Sequence, residues 1–189
     1  MPMNYNNDIY DLSCVKFDIE RLGRAYEELL SRVQYSRSKV NGILLTQPSE
    51  DTKKDPRGIF WVINEEGIEE QRERSVDEYS YTELIPEIKN TYFEEVYKKL
   101  STYFVLGRVR LLLLEPRKCL SYHRDPEPRL HIPIISSPGV LTLVENFCTY
   151  LPPDGTVYYM NTTKYHSVLN GSEYDRVHLV ATVLDIKRN

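Results

Sequence analysis

Long apolar runs are missing from this 189-residue sequence. The longest aliphatic stretch, Leu111–Leu114, falls far short of the roughly 20 residues that cross a bilayer, so no membrane span is expected. The opening MPMNYNNDIYDLSCV lacks a basic segment followed by an apolar one, which argues against a secretory leader and for a cytoplasmic protein. Cysteine is scarce. Cys14, Cys119 and Cys148 are odd in number and widely spaced, which excludes a disulfide framework and a paired CxxC zinc site. Cys119, four residues before His123, reads as a buried structural thiol in preference to a zinc ligand. A basic excess is also missing: 24 Lys and Arg stand against 28 Asp and Glu, for a net charge of −4. No nucleic-acid partner is therefore expected, and Arg108, Arg110, Arg117 and Lys118 read as exposed strand charges in preference to a basic groove.

Repeats of fixed period and low-complexity tracts are absent, and the length suits one domain over residues 1–189. Within it, residues 1–104 read as a helical and irregular supporting half. FDIERLGRAYEELLSRV places Ile19, Leu22, Tyr26, Leu29, Leu30 and Val33 at helical spacing behind Asp18, a capping residue. NGILLTQP reads as a short strand ended by Pro48, SEDTKKDPRG as a loop and GIFWVIN as a second strand. Residues 64–78, dense in both charge signs, read as a solvated helix or surface loop, with a mobile lid as the alternative. A second helix is expected through Ile88, Tyr92, Val96 and Leu100, with Pro86 in its first turn.

After residue 104 the texture changes to short β-rich runs, among them GRVRLLLLEP, RLHIPII, VLTLVEN, TVYYMN and RVHLVATVL. Turn signals at Pro138-Gly139 and Pro152-Pro153-Asp154-Gly155 favour antiparallel connections. The fold class is therefore mainly β with flanking helices (α+β), with a sandwich or barrel over residues 105–189.

What is present in that half is histidine. His123, His131, His166 and His178 all lie there, and none occurs in the first 122 residues. His123 and Asp125 stand two apart, so on an extended segment both leave the same face, with alpha carbons roughly 6.6 Å apart. A third ligand from a distant strand, His166, would complete two imidazoles and one carboxylate on one side of an octahedron, an arrangement that suits non-haem iron.

The order GRVRLLLLEPRKCLSYHRD, PRLHIPI, PDGTVYYMN, HSVLN and RVHLV resembles the Fe(II)- and 2-oxoglutarate-dependent oxygenases of the aspartyl/asparaginyl β-hydroxylase type, to which bacterial free-proline hydroxylases are also similar. The resemblance covers about residues 105 to 185. It implies a double-stranded β-helix (a cupin-like jelly roll) with the N-terminal helices packed on one sheet. It implies that His123, Asp125 and His166 bind Fe(II) and that Arg176 holds the distal carboxylate of the cosubstrate 2-oxoglutarate, a task suited to a planar guanidinium fork. Arg129 and His131 match positions that approach the cosubstrate. The sequence departs from the animal enzymes in having the metal-binding carboxylate Asp125, and in a shorter spacing from His123 to Arg129 and His131.

The implied reaction uses O2 to hydroxylate a C–H bond while 2-oxoglutarate becomes succinate and carbon dioxide. The implied substrate is an Asp-, Asn- or Pro-type residue in a peptide or protein, or a free amino acid such as proline. Asn41, Gln47 and Trp61 are candidates for the mouth of the site. His178 reads as a core histidine, and Tyr158, Tyr159 and Tyr165 as strand packing. Two alternatives remain at this stage: a non-catalytic jelly-roll binding module, and a cupin-type metalloenzyme that does not use 2-oxoglutarate.

Overall fold

The computed structural model describes residues 8–33, 42–48 and 58–187. Asn41 and nearly all of the SEDTKKDPRG loop lie outside the described residues. In chain order the strands are β1 (Ile9–Lys16), β2 (Gly42–Leu44), β3 (Thr46–Gln47), β4 (Phe60–Ile63), β5 (Glu69–Arg72), β6 (Glu83–Leu84), β7 (Phe104–Leu114), β8 (Lys118–Cys119), β9 (His123–Arg124), β10 (Arg129–Ile135), β11 (Val140–Val144), β12 (Phe147–Thr149), β13 (Thr156–Met160), β14 (His166–Asn170) and β15 (Arg176–Ile186). Two helices interrupt them, α1 (Ile19–Arg32) and α2 (Tyr92–Ser101).

The strands form two large antiparallel sheets and a two-stranded one, β3–β6. A six-stranded sheet runs β1-β13-β10-β15-β7-β2, and a seven-stranded sheet runs β12-β11-β14-β9-β4-β5 with β8 also on β14. The interleaving of distant strands is that of a jelly roll, so the chain is mainly β with flanking helices, as the sequence implies.

Side-chain alternation divides the six-stranded sheet into two chemically different faces. Leu130, Ile132 and Ile134 of β10, Val177, Leu179, Ala181 and Val183 of β15, and Val109, Leu111 and Leu113 of β7 join one apolar core with the buried faces of both helices. α1 supplies Leu22, Ala25, Tyr26 and Leu29, and its start is fixed by the Asp18 carboxylate, which accepts from the backbone N–H of Glu20 and Arg21. Leu30, read from sequence as part of that stripe, is 36% exposed at its edge. The opposite face of the sheet looks into the roll, and its residues are polar to an unusual degree.

Several expectations are corrected by the structure. The strands read in NGILLTQP and GIFWVIN are present as β2, β3 and β4, but the first half holds further strands, among them β1, an edge of the six-stranded sheet, and β5, an edge of the other. The charged stretch 64–78 contains no helix. It forms a β4–β5 hairpin whose turn is held by the Asn64 side chain accepting from Glu66 and Ile68, followed by a 3-10 turn at Glu78–Ser80. Pro86 opens a separate 3-10 turn, Pro86–Ile88, and does not sit in α2. Asn90 at φ 61 breaks the path between them, which Asn tolerates better than most residues.

The Pro152–Gly155 turn is tied to α1's approach by Gly155, at φ 84, whose carbonyl accepts from Phe17 N–H at 2.9 Å. A side chain there would collide with the Phe17 backbone, so only glycine fits. No helix among the described residues is long and apolar enough to cross a membrane.

Candidate active site

Strands β9 and β14 are neighbours, and their register sets His123 directly opposite His166. The two rings lie with centroids 4.3 Å apart. Asp125 follows β9, held by its backbone N–H donating to Thr162 O at 2.8 Å, while Thr162 Oγ1 donates to Glu127 O at 2.6 Å. These latches aim the Asp125 carboxylate between the rings, 3.4 Å from His166 Nε2 and 4.0 Å from His123 Nε2. One ligand atom from each of the three residues lies within 4.8 Å of the others, and all three residues are buried. Among the described residues this is the one such group of three.

Both imidazoles are oriented by the backbone. His123 Nδ1 lies 2.6 Å from Ser121 O and His166 Nδ1 lies 3.0 Å from Lys164 O. A carbonyl oxygen only accepts, so each Nδ1 carries the proton and each Nε2 lone pair faces the common point. That is the arrangement of a metal-ligating histidine with an orienting partner. Burial, then the neighbouring His166, lowers the pKa of His123 and keeps its ring neutral. Burial works against charge on Asp125, but the Arg129 guanidinium outweighs it and holds the carboxyl well below the ordinary range. The chemistry of this donor set, two neutral nitrogens and one carboxylate, fits a divalent first-row metal. Asp125 Oδ2 is buried with no hydrogen-bond partner, as an atom reserved for an ion would be.

Beyond the triad, the inner face of the six-stranded sheet carries Arg129 and His131 on β10, Arg176, His178 and Thr182 on β15, and Arg108 and Arg110 on β7. Arg129 reaches Asp125 Oδ1 at 2.8 Å, so it contacts the metal-ligand candidate directly. Arg176 is 2% exposed and donates from Nη2 to His178 Nδ1 at 2.8 Å, while its Nε has no partner. Burial pushes the Arg176 guanidinium down to about 9. Neither ring nitrogen of His131 is hydrogen-bonded, nor is His178 Nε2 or Thr182 Oγ1. Burial, then Arg176 and then Arg129, holds His131 well below the ordinary imidazole range and so neutral. Unsatisfied buried donors of this kind fit an anionic ligand with several oxygens.

All six candidate residues therefore meet in one interior, with the triad at one side and Arg176 further along β15. His178 is buried, as expected of a core histidine, but it touches Arg176 directly. Arg108 and Arg110, read as exposed strand charges, are instead buried, 2% and 3% exposed. Arg108 pairs with the buried Glu78 through Nε at 2.8 Å and Nη2 at 2.5 Å. A side chain on Gly107 would meet Glu78 Oε2 at 2.6 Å, so this glycine makes room for the pair.

Cys119 is exposed and outside the triad, neither the buried thiol expected nor a ligand. Tyr158 is buried core, and Tyr159 stacks on Tyr10 with centroids 4.9 Å apart. Tyr165 is not strand packing: it lies just before β14 and donates to Glu69 Oε1 at 2.7 Å. Of the candidates for the mouth, Trp61 carries Arg124 over its ring at 4.3 Å and Gln47 lies in the two-stranded β3–β6 sheet.

A small cleft lined by Glu78, Arg108, Glu127 and Arg129 opens beside Asp125, with room for about one water. The sequence reading missed Glu78 and Glu127. Nothing in their spacing marks them, because they reach the cleft from separate loops.

The family model for aspartyl/asparaginyl beta-hydroxylase matches residues 81–186, more than half of the chain. The chain belongs to that family. It is accordingly an oxygenase, and the match spans every candidate residue of the triad and of the β10 and β15 cluster. Comparison with curated proteins returns no significant match. Among solved structures, a 2OG-Fe(II) oxygenase-family oxidoreductase from Burkholderia pseudomallei is similar in fold, with a TM-score of 0.52 at 12% identity, over 93% of this chain and 83% of that one. AviO1 from Streptomyces viridochromogenes Tue57 covers 94% of this chain and 90% of its own at 15% identity and a TM-score of 0.49. A cupin domain from Bordetella pertussis covers 44% of this chain and 84% of its own, at 20% identity and a TM-score of 0.36.

Proposed function

We propose that His123, Asp125 and His166 hold Fe(II), that Arg176 anchors the distal carboxylate of 2-oxoglutarate, and that the single domain over residues 1–189 hydroxylates an amino-acid residue of Asp, Asn or Pro type in a peptide or protein, or a free amino acid. The observation that carries this reading is the pairing of His123 with His166 across β9 and β14, each Nδ1 tied to a backbone carbonyl and each Nε2 turned toward the Asp125 carboxylate.

When bound there, the iron and the keto acid supply an oxidant for an unactivated C–H bond, with O2 consumed and 2-oxoglutarate converted to succinate and carbon dioxide. The protein's own residues orient and exclude. His123, Asp125 and His166 would hold the metal through three donors, and a set of three would leave further positions for cosubstrate and O2. Arg176 offers a planar fork to a carboxylate and is itself held by His178. His131, between the levels of Arg129 and Arg176 along the β10–β15 pairing, would offer its unpaired ring nitrogens to a diacid held by Arg176. Arg129 keeps the Asp125 carboxylate charged and pointed. Burial of these groups between two sheets keeps bulk water from the reacting bond. No acid–base pair is needed.

A binding module without metal gives no role to the two pinned Nε2 lone pairs. A cupin-type enzyme without a keto acid leaves the Arg176 guanidinium buried with no carboxylate. A cytoplasmic location accords with the exposed, unpaired thiols of Cys119 and Cys148. Succinate release from 2-oxoglutarate on adding Fe(II), together with a mass-spectrometric gain of one oxygen across a panel of amino acids and peptides, tests the reading. Failure of the protein to retain either Fe(II) or 2-oxoglutarate would overturn it.

A further inference from the structure

β9, which carries His123, is two residues long, and its pairing with β14 consists of the one register pair His123–His166. So short a ladder holds the spacing of the two imidazoles only loosely. In an antiparallel pair the residue after His123 lies opposite the residue before His166, and both point to the other face of the sheet. Those two residues, Arg124 and Tyr165, meet one carboxylate there. Glu69 of β5 accepts from Arg124 Nε at 2.7 Å on one oxygen and from Arg124 Nη2 at 2.8 Å on the other. The first oxygen also accepts from Tyr165 Oη at 2.7 Å.

Glu69 reaches both partners across β4, whose Trp61 ring lies 4.3 Å from the Arg124 guanidinium. Tyr165 is fixed from its other side as well. Its ring lies 5.4 Å from that of Tyr122, its backbone N–H donates to Glu145 Oε1 at 3.0 Å, and its carbonyl accepts from Glu145 N–H at 2.9 Å. The hydrogen bonds from Arg124 and then Tyr165 hold the Glu69 carboxyl down to about 2, so it stays charged through the neutral range.

We infer that Glu69 is a positioning residue for the metal site: through Arg124 and Tyr165 it sets the distance and angle between His123 and His166. This rests on the iron reading of the triad. An isolated, partly exposed ion pair does little. Here one carboxylate is shared by the chain neighbours of both imidazole ligands. A shift of Tyr165 would carry His166 with it, and also Lys164, whose carbonyl orients the His166 ring. The β4–β5 hairpin thereby braces the two ligand strands from outside the roll.

The test titrates Co(II), whose visible absorption reports its ligand geometry, into the metal-free full chain and into Glu69→Gln and Tyr165→Phe. Each variant is expected to bind Co(II) about 10-fold more weakly, the lower end of what losing an outer partner of metal ligands costs, and to shift the visible band. The double variant is expected to lose little more than the weaker single one, because both break one brace. Glu95→Gln removes the partly exposed Arg21–Glu95 pair between the helices and is expected to change neither affinity nor band.

An unchanged affinity and spectrum in either single variant, losses that add in the double variant, or an equal shift in Glu95→Gln would each overturn the inference while leaving the triad in place. No Co(II) binding by the unaltered protein at millimolar concentration would overturn the triad reading, and this inference with it.

Discussion

Arg176 donates to His178 Nδ1 at 2.8 Å inside the roll. A guanidinium has donors only, so His178 Nδ1 must present a lone pair, and its proton sits on Nε2. Burial and then the adjacent Arg176 hold His178 well below the ordinary imidazole range, in agreement with a neutral ring. The pair explains how one arginine stays fixed in a low-dielectric interior while keeping donors for a ligand.

Replacing His178 by Phe keeps an aromatic ring but removes the acceptor. Arg176 then loses its one side-chain hydrogen bond among the described residues, and stability is expected to fall by about 1–3 kcal/mol, the cost of a buried unsatisfied polar group. Urea unfolding checks the loss, and Fe(II) retention is expected to persist because the triad lies elsewhere.

Arg176→Ala is expected to weaken 2-oxoglutarate by about 3–5 kcal/mol, since a buried carboxylate would be left without its countercharge. Isothermal titration reads this directly. Unchanged affinity would point to another anchor in the same interior.

The Glu78–Arg108 pair gives a pH-dependent prediction. Burial opposes charge on Glu78, but hydrogen bonds from Arg108 and the charges of Arg108 and Arg110 win, so its carboxyl is held below the ordinary value of 4.5. A depressed carboxyl contributes stability that is fully present above about pH 4.5 and is lost as pH falls through its folded value. Glu78→Gln is therefore expected to cost about 3–5 kcal/mol at pH 7 by leaving Arg108 buried and unpaired. The gap between the two proteins should narrow on acidification, as read by urea midpoints across that range.

Much of this was legible in the sequence, and the reason is periodicity. The α1 stripe through Leu22, Tyr26 and Leu29 and the cap at Asp18 follow from local chemistry, as do the strands of the second half. The His123–Asp125–His166 cluster was legible because His123 and Asp125 stand two apart on an extended segment and the later motif supplies His166. What stayed hidden depends on tertiary pairing. β1 reads as irregular because IYDLSCVK mixes polar and apolar residues, yet it closes one sheet edge by pairing with β13. Arg108 and Arg110 alternate with Val109 and Leu111, and with apolar residues on both faces downstream, parity alone does not say which side is buried. Glu127 and Glu78 are ordinary loop acids until the fold brings them to one cleft.

The most direct test of the central claim is the retention of Fe(II) and 2-oxoglutarate after anaerobic equilibrium dialysis of the unaltered protein, Asp125→Ala and Arg176→Ala. The account predicts stoichiometric retention of both by the unaltered protein, loss of iron in Asp125→Ala, and loss of 2-oxoglutarate with iron kept in Arg176→Ala. Iron held equally by all three proteins would contradict it, because the metal would then not depend on the carboxylate that the fold places between the two imidazoles.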